Sequence, residues 1–256
     1  MAHFYLDESL TGQLGAQDAV AGDAGAVVHL GGADARHAAT VARVRVGEKV
    51  RLGDGAGLVA FGVVAAVEPG DVTLVVDRVE RFERPRPSIH LVQALAKGDR
   101  DELAVQAATE LGVDGVIPWQ AARSISRWDS AKAVRGRERW ATIAREASKQ
   151  SMRAWLPAIE PVATTRHIAN RAQYSAVLVL DPEGDVAIAQ LTRAELGDRD
   201  IALVVGPEGG ITDEEFASFT AAGARRVRLG STVLRTSTAG PAAIAVLSVV
   251  LGRWSP

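Results

Sequence analysis

No cysteine occurs among the 256 residues, so disulfides, thiolate nucleophiles and cysteine-ligated metal sites are all excluded. The five histidines (His3, His29, His37, His90, His167) are scattered, with no H-x-x-x-H pair and no carboxylate-rich spacing. No metal site is expected. There is no G-x-S-x-G elbow and no Walker A sequence; Lys97-Gly98 has the order of that motif reversed. Serine-hydrolase and P-loop chemistry fall away with them. The longest apolar run, residues 242–251, is too short to span a bilayer. The opening MAHFYLDESL lacks a basic segment followed by an apolar core, so a cytoplasmic protein with no membrane partner is expected. Internal repeats and low-complexity tracts are missing too.

What is present describes a folded chain. It is 47% hydrophobic and 23% charged, and long enough for two domains of ordinary size. A net charge of −2 decides nothing about partners, but the distribution does. Residues 1–80 hold eleven acids against six Lys/Arg, whereas residues 123–153 hold nine Lys/Arg against three acids. That asymmetry is the electrostatic footprint of a polyanion partner.

The first part reads as all-β. Short β-rich runs at 26–30, 49–52, 58–67 and 72–76 are separated by Gly31-Gly32, Asp54-Gly55 and Pro69-Gly70-Asp71, which suggests a small barrel. A helical stretch over about 34–43 interrupts it. Gly53-Asp54-Gly55-Ala56-Gly57 imitates part of a dinucleotide fingerprint, but no helix pattern follows, so a hairpin turn is expected. Two prolines among charges place a linker at 82–88, between a domain at 1–81 and a second at 89–256.

From Ser88 onward strands alternate with helices, which implies a parallel sheet with helices on both faces. Strands are expected at 89–95, 113–119, 177–180, 201–205 and 226–229. Asp99 with Glu102 reads as an N-cap signature, with Leu103, Ala107 and Leu111 as the apolar face of the helix that follows. Trp140, Ile143, Ala144, Ala147 and Ser151 share one helical face, a core face. Arg145, Lys149 and Arg153 stand at i, i+4 and i+8, a row of like charges that costs a few tenths of a kcal/mol per pair, roughly. Local stability does not explain that row. Either it is a solvated face partly offset by Glu138 and Glu146, or it meets phosphates.

Two loops carry the candidate chemistry. IALVVGPEGGITDEEF (201–216) is a buried strand, a glycine-rich break and a helix start, with Thr212 and Glu215 spaced as a capping box. Gly206, Gly209 and Gly210 permit positive φ and close approach of a ligand to backbone N–H groups; the alternative is a tight βα turn with no ligand. In LGSTVLRTSTAG (229–240), Arg235 lies among four hydroxyl residues ahead of a helix expected over 239–252. Ser237 or Thr238 can cap that helix, and Arg235 can orient an anion or a polar base edge.

Five stretches carry a resemblance: ALAKGDRDELAVQAATELGVDGVIP (94–118), RSISRW (123–128), ERWATIAREASKQSMR (138–153), LVVGPEGGITDEE (203–215) and LGSTVLRTSTA (229–239). In this order they resemble the RsmE family of the SPOUT superfamily, the 16S ribosomal RNA uridine-N3 methyltransferases. RHAATVARVRVGEKVRLGDGAG (36–57) adds a thinner match in the first domain. The resemblance implies an α/β fold, a SPOUT-type parallel sheet with a C-terminal trefoil knot, preceded by a small PUA-like β-barrel that binds RNA. It implies a homodimer acting on the small ribosomal subunit, with S-adenosylmethionine as cofactor. The implied cofactor contacts are Leu180, Asp181, Gly206, Pro207, Glu208, Gly209, Gly210, Leu229, Gly230 and Leu234, with Thr236, Ser237, Thr238 and Ala239. One position departs: the family usually has Glu where Ser237 stands, so no role of that glutamate carries over.

Methylating uridine N3 requires loss of a weakly acidic N–H and stabilisation of charge developing on the ring. Arg235 is the candidate for the electrostatic role and Glu208 the weaker candidate for proton acceptor. Arg123, Arg127, Arg145, Lys149 and Arg153 are the candidate RNA contacts. A ribosome-assembly factor that binds RNA without catalysis, or a SPOUT enzyme acting on another ribosomal or transfer RNA nucleotide, stays open at this point.

Overall fold

The computed structural model describes residues 3–15 and 24–254. It divides into two compact units: Met1–Arg84 with Ser148–Leu156, and Pro85–Ala147 with Pro157–Pro256. The ends of the expected domains, at residues 1 and 256, lie outside the described residues. One segment differs from the sequence expectation. Residues 148–156 belong with the first unit, because their partners are there.

In the first unit β1 (His3–Leu6), α1 (Leu10–Gln13), β2 (Val27–Gly31), α2 (Gly32–His37), β3 (Lys49–Gly53), β4 (Leu58–Glu68) and β5 (Asp71–Arg81) follow in order. The five strands form one sheet in the order β1-β3-β4-β5-β2. β1, not expected from the sequence, is a four-residue strand that pairs parallel with β3, His3 opposite Val50. The other pairings are antiparallel. Alternation sets the faces: Val72, Leu74 and Val76 of β5 are buried, and Val75 between them is exposed. α2 runs on into a π-helical turn, Ala38–Ala42, so the expected helical stretch is present. The Gly53–Gly57 stretch is a turn between β3 and β4, held by the Asp54 carboxylate, which accepts the N–H groups of Ala56 (2.6 Å) and Leu58 (3.0 Å).

The segment 148–156 is tied down by backbone and side chain alike. Leu156 N–H donates to Gly55 O (2.9 Å), Gly57 N–H to Ala154 O (3.0 Å), and the Trp155 indole N–H to Phe82 O (2.9 Å). Lys149 Nζ lies 2.7 Å from Asp34 Oδ1, with side chains only 10% and 11% exposed. The expected row of three charges is therefore not one helix face. The helix ends at Gln150, Met152 turns to φ 55° and Arg153 N–H closes back on Ser148 O at 2.9 Å.

The second unit holds β6 (Ile89–Ala94), α3 (Arg100–Glu110), β7 (Gly115–Trp119), α4 (Ser130–Gln150, which crosses into the first unit at Ser148), β8 (Ala158–Ile159) and α5 (Thr165–Asn170). It continues with β9 (Ala176–Leu180), β10 (Val186–Ala187), α6 (Arg193–Leu196), β11 (Ile201–Val205), α7 (Asp213–Ala221), β12 (Arg225–Arg228) and α8 (Thr236–Val250). Its sheet is parallel throughout, in the order β10-β12-β9-β11-β6-β7-β8. Both faces are covered, as expected for continuous apolar strands. Ile201, Leu203 and Val205 of β11 pack into the core that contains α3, α4 and α8. Ala202 and Val204 pack into the core that contains α5 and α7.

Two local expectations are corrected. α3 buries Ala104, Val105, Ala108 and Thr109, while Leu103 is 56% exposed. Small residues face α8 there, and a leucine row would hold the two helices apart. Asp99 does not cap α3: it sits at φ 58°, and the Asp101 carboxylate instead takes the N–H groups of Ala96 and Glu102. The capping box of α7 is present in both its hydrogen bonds. The buried α4 face holds Trp140, Ala144 and Ala147, as the spacing predicts.

Two outcomes are expected. Lys149→Met leaves Asp34 charged and largely desolvated and should cost about 3 kcal/mol in urea unfolding, part of it recovered by adding Asp34→Asn. Burial raises the Glu160 pKa, but hydrogen bonds from His90 and Arg171 and their charge outweigh it, holding the carboxyl down at about 2 against an ordinary 4.5. Its stabilising contribution is thus complete above 4.5 and lost as pH falls toward 2. Glu160→Gln should flatten the stability profile across that window; an unchanged acid limb would show the pair to be inert.

Candidate active site

A parallel sheet opens its loops at the carboxyl ends of its strands, and three neighbouring strands here, β12, β9 and β11, send theirs to one cavity of about 540 Å³. From the end of β9 come Leu180, Asp181 and Pro182. Gly206, Pro207, Glu208, Gly210 and Ile211 come from the loop after β11. The loop after β12 supplies Leu229, Gly230 and residues 232–235, and α8 begins at the wall with Thr236 and Ala239. Arg100 of α3 and Phe216 of α7 complete it. The volume suits a ligand of drug size.

Most of the residues singled out from the sequence thus share one cavity wall, including Arg235 and Glu208. Gly209, Ser237 and Thr238 do not line it. Gly209 backs onto Arg123, whose Nη1 donates to its carbonyl at 3.2 Å. Ser237 and Thr238 lie in the first turn of α8, which starts three residues earlier than expected; neither caps it, since Arg235 occupies the cap position without a side-chain bond. Among the three loop glycines only Gly210 has positive φ, at 76°. Gly206 is required for space: a Cβ there would meet the Ile211 side chain at 2.7 Å.

Three polar contacts shape the wall. Glu208 Oε1 accepts from Arg100 Nη1 at 2.9 Å and from Lys97 N–H at 3.3 Å. Burial raises its pKa, but its own backbone N–H, Arg100 and Lys97 outweigh that and hold it below the usual carboxylate range. Arg226 Nε donates to Asp181 Oδ2 at 2.6 Å while its guanidinium lies 4.6 Å above the Phe216 ring, so this carboxylate is already neutralised at the cavity edge. Behind the wall, Gln93 Nε2 donates to Thr236 Oγ1 at 2.8 Å, and Thr236 Oγ1 donates on to Gly206 O at 2.8 Å. Gln93 is fully buried, and its Oε1 has no partner among the described residues.

Gln93, Arg100 and Phe216 were missed by the sequence reading. A signal existed for the first: a glutamine inside IHLVQAL, a strand apolar on both faces, must be hydrogen-bonded or strained. Arg100 and Phe216 stand on helices whose relation to the loops is purely tertiary.

The five candidate RNA contacts are divided between the two units. Arg123 and Arg127 are exposed in the loop after β7, where Arg127 Nη2 donates to Ala122 O at 2.9 Å. That loop is tied to the glycine-rich one by Glu215, which accepts from Ala122 N–H (2.9 Å), Thr165 Oγ1 (2.9 Å) and Thr212 N–H (3.1 Å). Arg145 is half-buried on α4. Lys149 and Arg153 belong to the first unit, and the Lys149 charge is spent on Asp34.

The RNA methyltransferase domain family matches residues 83–248, and the RNA methyltransferase PUA domain family matches residues 30–77. Ribosomal RNA small subunit methyltransferase E of Mycobacterium bovis is 44% identical over 237 residues, covering 91% of this chain and 90% of that protein. The Bacillus subtilis protein of the same name is 30% identical, covering 85% and 88%. Among solved structures, ribosomal RNA small subunit methyltransferase E from Neisseria gonorrhoeae, bound to S-adenosyl methionine, superimposes with a TM-score of 0.81 at 26% identity, covering 97% of this chain and 98% of that one. A Legionella pneumophila chain with bound cofactor SAM gives 0.79 at 27% identity, over 97% and 98%. With a family match over more than half its length and relatives of like size, the chain belongs to the ribosomal RNA small subunit methyltransferase E family.

Proposed function

We propose that this protein transfers a methyl group from S-adenosylmethionine to N3 of a uridine in the 16S RNA of the small ribosomal subunit, in its decoding region. The observation that carries the reading is the single cavity built by the loops after β9, β11 and β12, with Arg235 on its wall. Its residues suit the cofactor. Leu180, Val205, Leu229 and Leu234 give apolar surface for a flat base, and backbone groups of the three loops offer partners for base edge and hydroxyls. Bound there, S-adenosylmethionine supplies the electrophilic methyl group.

The chain's own residues do the rest. A paired uridine hides N3, so the base enters unpaired or flipped out. Arg235, exposed at the start of α8, donates to the uracil carbonyl edge as negative charge grows on the ring. Glu208 has a different part from the one expected of it. A carboxylate held below its ordinary pKa, against burial, by its own backbone N–H, Arg100 and the Lys97 N–H is a weak base, so it braces the glycine-rich loop and the N3 proton leaves by another route, to solvent. The reading also includes a homodimer, a knotted passage of the chain around 229–250, a PUA-like unit that holds RNA, and a cytoplasmic location. No helix of the described residues is long and apolar enough to cross a membrane.

Methyl-labelled S-adenosylmethionine offered with small or large subunits from a strain lacking the gene tests the whole reading. Label at uridine N3 of small-subunit RNA alone is expected; cofactor binding with no label on either subunit would favour an assembly factor. Arg235→Ala should lower kcat about 100-fold with cofactor affinity nearly unchanged; unchanged turnover would remove Arg235 from the chemistry. Thr236→Val leaves Gly206 O without its side-chain donor and Gln93 Nε2 with Ala94 O alone, at 3.1 Å. It should weaken cofactor binding about tenfold by calorimetry, with a smaller effect on kcat.

A further inference from the structure

The basic segment that the sequence set apart is divided by the fold, and its beginning forms a feature of its own. Between the loop after β7 and the first two turns of α4 lies a groove of about 480 Å³, lined by Ile125, Arg127, Trp128, Lys132, Arg135 and Gly136. We propose that this groove seats the phosphodiester backbone of a single-stranded segment of the substrate RNA, beside the cofactor cavity. The proposal rests on the rRNA-methylating reading above.

Charge is the first reason. Three cations line the groove, and one has an acid beside it: the Asp129 carboxylate, 63% exposed, lies 3.9 Å from Lys132 Nζ. Arg135 makes no ion pair or hydrogen bond among the described residues. The first turn of α4 contains no acid, whereas that of α7 has Asp213, Glu214 and Glu215. The Asp129 carboxylate accepts the Lys132 N–H at 2.8 Å and suits the helix start, but Lys132 and Arg135 in the first two turns oppose the macrodipole, and a polyanion beside them would offset that.

Shape is the second. The Trp128 ring lies against the α4 backbone: a Cβ on Gly136 would come within 2.4 Å of it. The same ring is edge-on to buried Trp140 at 5.3 Å, so the apolar floor is rigid. Ile125 stands 66% exposed at the rim. A rigid aromatic floor between cations is how single strands are held without sequence readout.

Position is the third. The groove belongs to the loop that is hydrogen-bonded to the glycine-rich loop of the cavity. Arg123 bonds Gly209 of the glycine-rich loop, Glu215 fastens Ala122 to the start of α7, and Arg127 follows four residues later. A strand whose target base enters the cavity can continue over Arg123 into the groove. Lys132 and Arg135 do not line the cavity, so their removal should spare cofactor binding.

The test uses the full chain carrying Lys132→Ala and Arg135→Ala, small subunits and naked 16S RNA as substrates, and a series of salt concentrations. KM for both substrates should rise about tenfold, with kcat and cofactor affinity within twofold. The slope of log affinity against log salt should become shallower by about 1.4, two single-strand phosphate contacts. Unchanged KM and slope would overturn the proposal. So would a raised KM with an unchanged slope, or a defect on assembled subunits alone, which would mark a ribosomal protein as the occupant. If the wild type methylates neither substrate, the functional reading fails, and direct RNA binding by wild type and variant still decides the groove.

Discussion

The seat of α8 across β6 and β11 is the constraint on which the rest of the second unit depends. It is made by what is missing from Gly240: a Cβ there would meet Leu91 at 2.8 Å and Val205 at 3.4 Å. With that clearance, Ala243, Ile244 and Leu247 enter the core under α3. The helix is then pinned at both ends by buried polar contacts. At its start Thr236 joins Gln93 to Gly206, and beyond its end Arg253 donates to Asp114 at 2.8 Å, with side chains 8% and 1% exposed. Polar contacts in such places are costly to leave unmade and therefore specify one position rather than several.

That position places the chemistry. Because α8 begins where the strands of the sheet end, the Arg235 guanidinium and the glycine-rich loop share a wall, although 24 residues separate Arg235 from Ile211 in the chain. The charges around the cavity are largely satisfied within the protein: Glu208 by Arg100, Asp181 by Arg226. Among the described residues Arg235 has no such carboxylate partner, which suits the electrostatic role proposed for it. Internal pairing elsewhere keeps the wall rigid, and rigidity is what makes an aimed donor effective.

Much of this was legible beforehand, and the failures have physical causes. Periodicity and turn residues located nine of the twelve strands of the described residues, missing β1 and the two-residue β8 and β10, since burial on both faces leaves long apolar runs such as 201–205. The capping box at Thr212 and Glu215 marked the start of α7 because its two hydrogen bonds are local. What depends on distant partners was misread. Leu103 looked like core, but α3 buries Ala104, Val105 and Ala108 instead. The spacing set Lys149 in a row of like charges, whereas it is paired with Asp34, 115 residues away. β1 was invisible because a four-residue strand has little pattern to show, and its pairing with β3 decides it.

By itself, then, the chain order of residues determined the alternation of strand and helix, the two loops that carry function, and the absence of thiol or P-loop chemistry, for these rest on local backbone preference and residue type. The tertiary structure alone decided which loops converge, that Glu208 is paired with Arg100, and how the basic segment is divided between a buried ion pair and an open groove. Those outcomes depend on solvent access and on partners far along the chain, and no local pattern encodes either one.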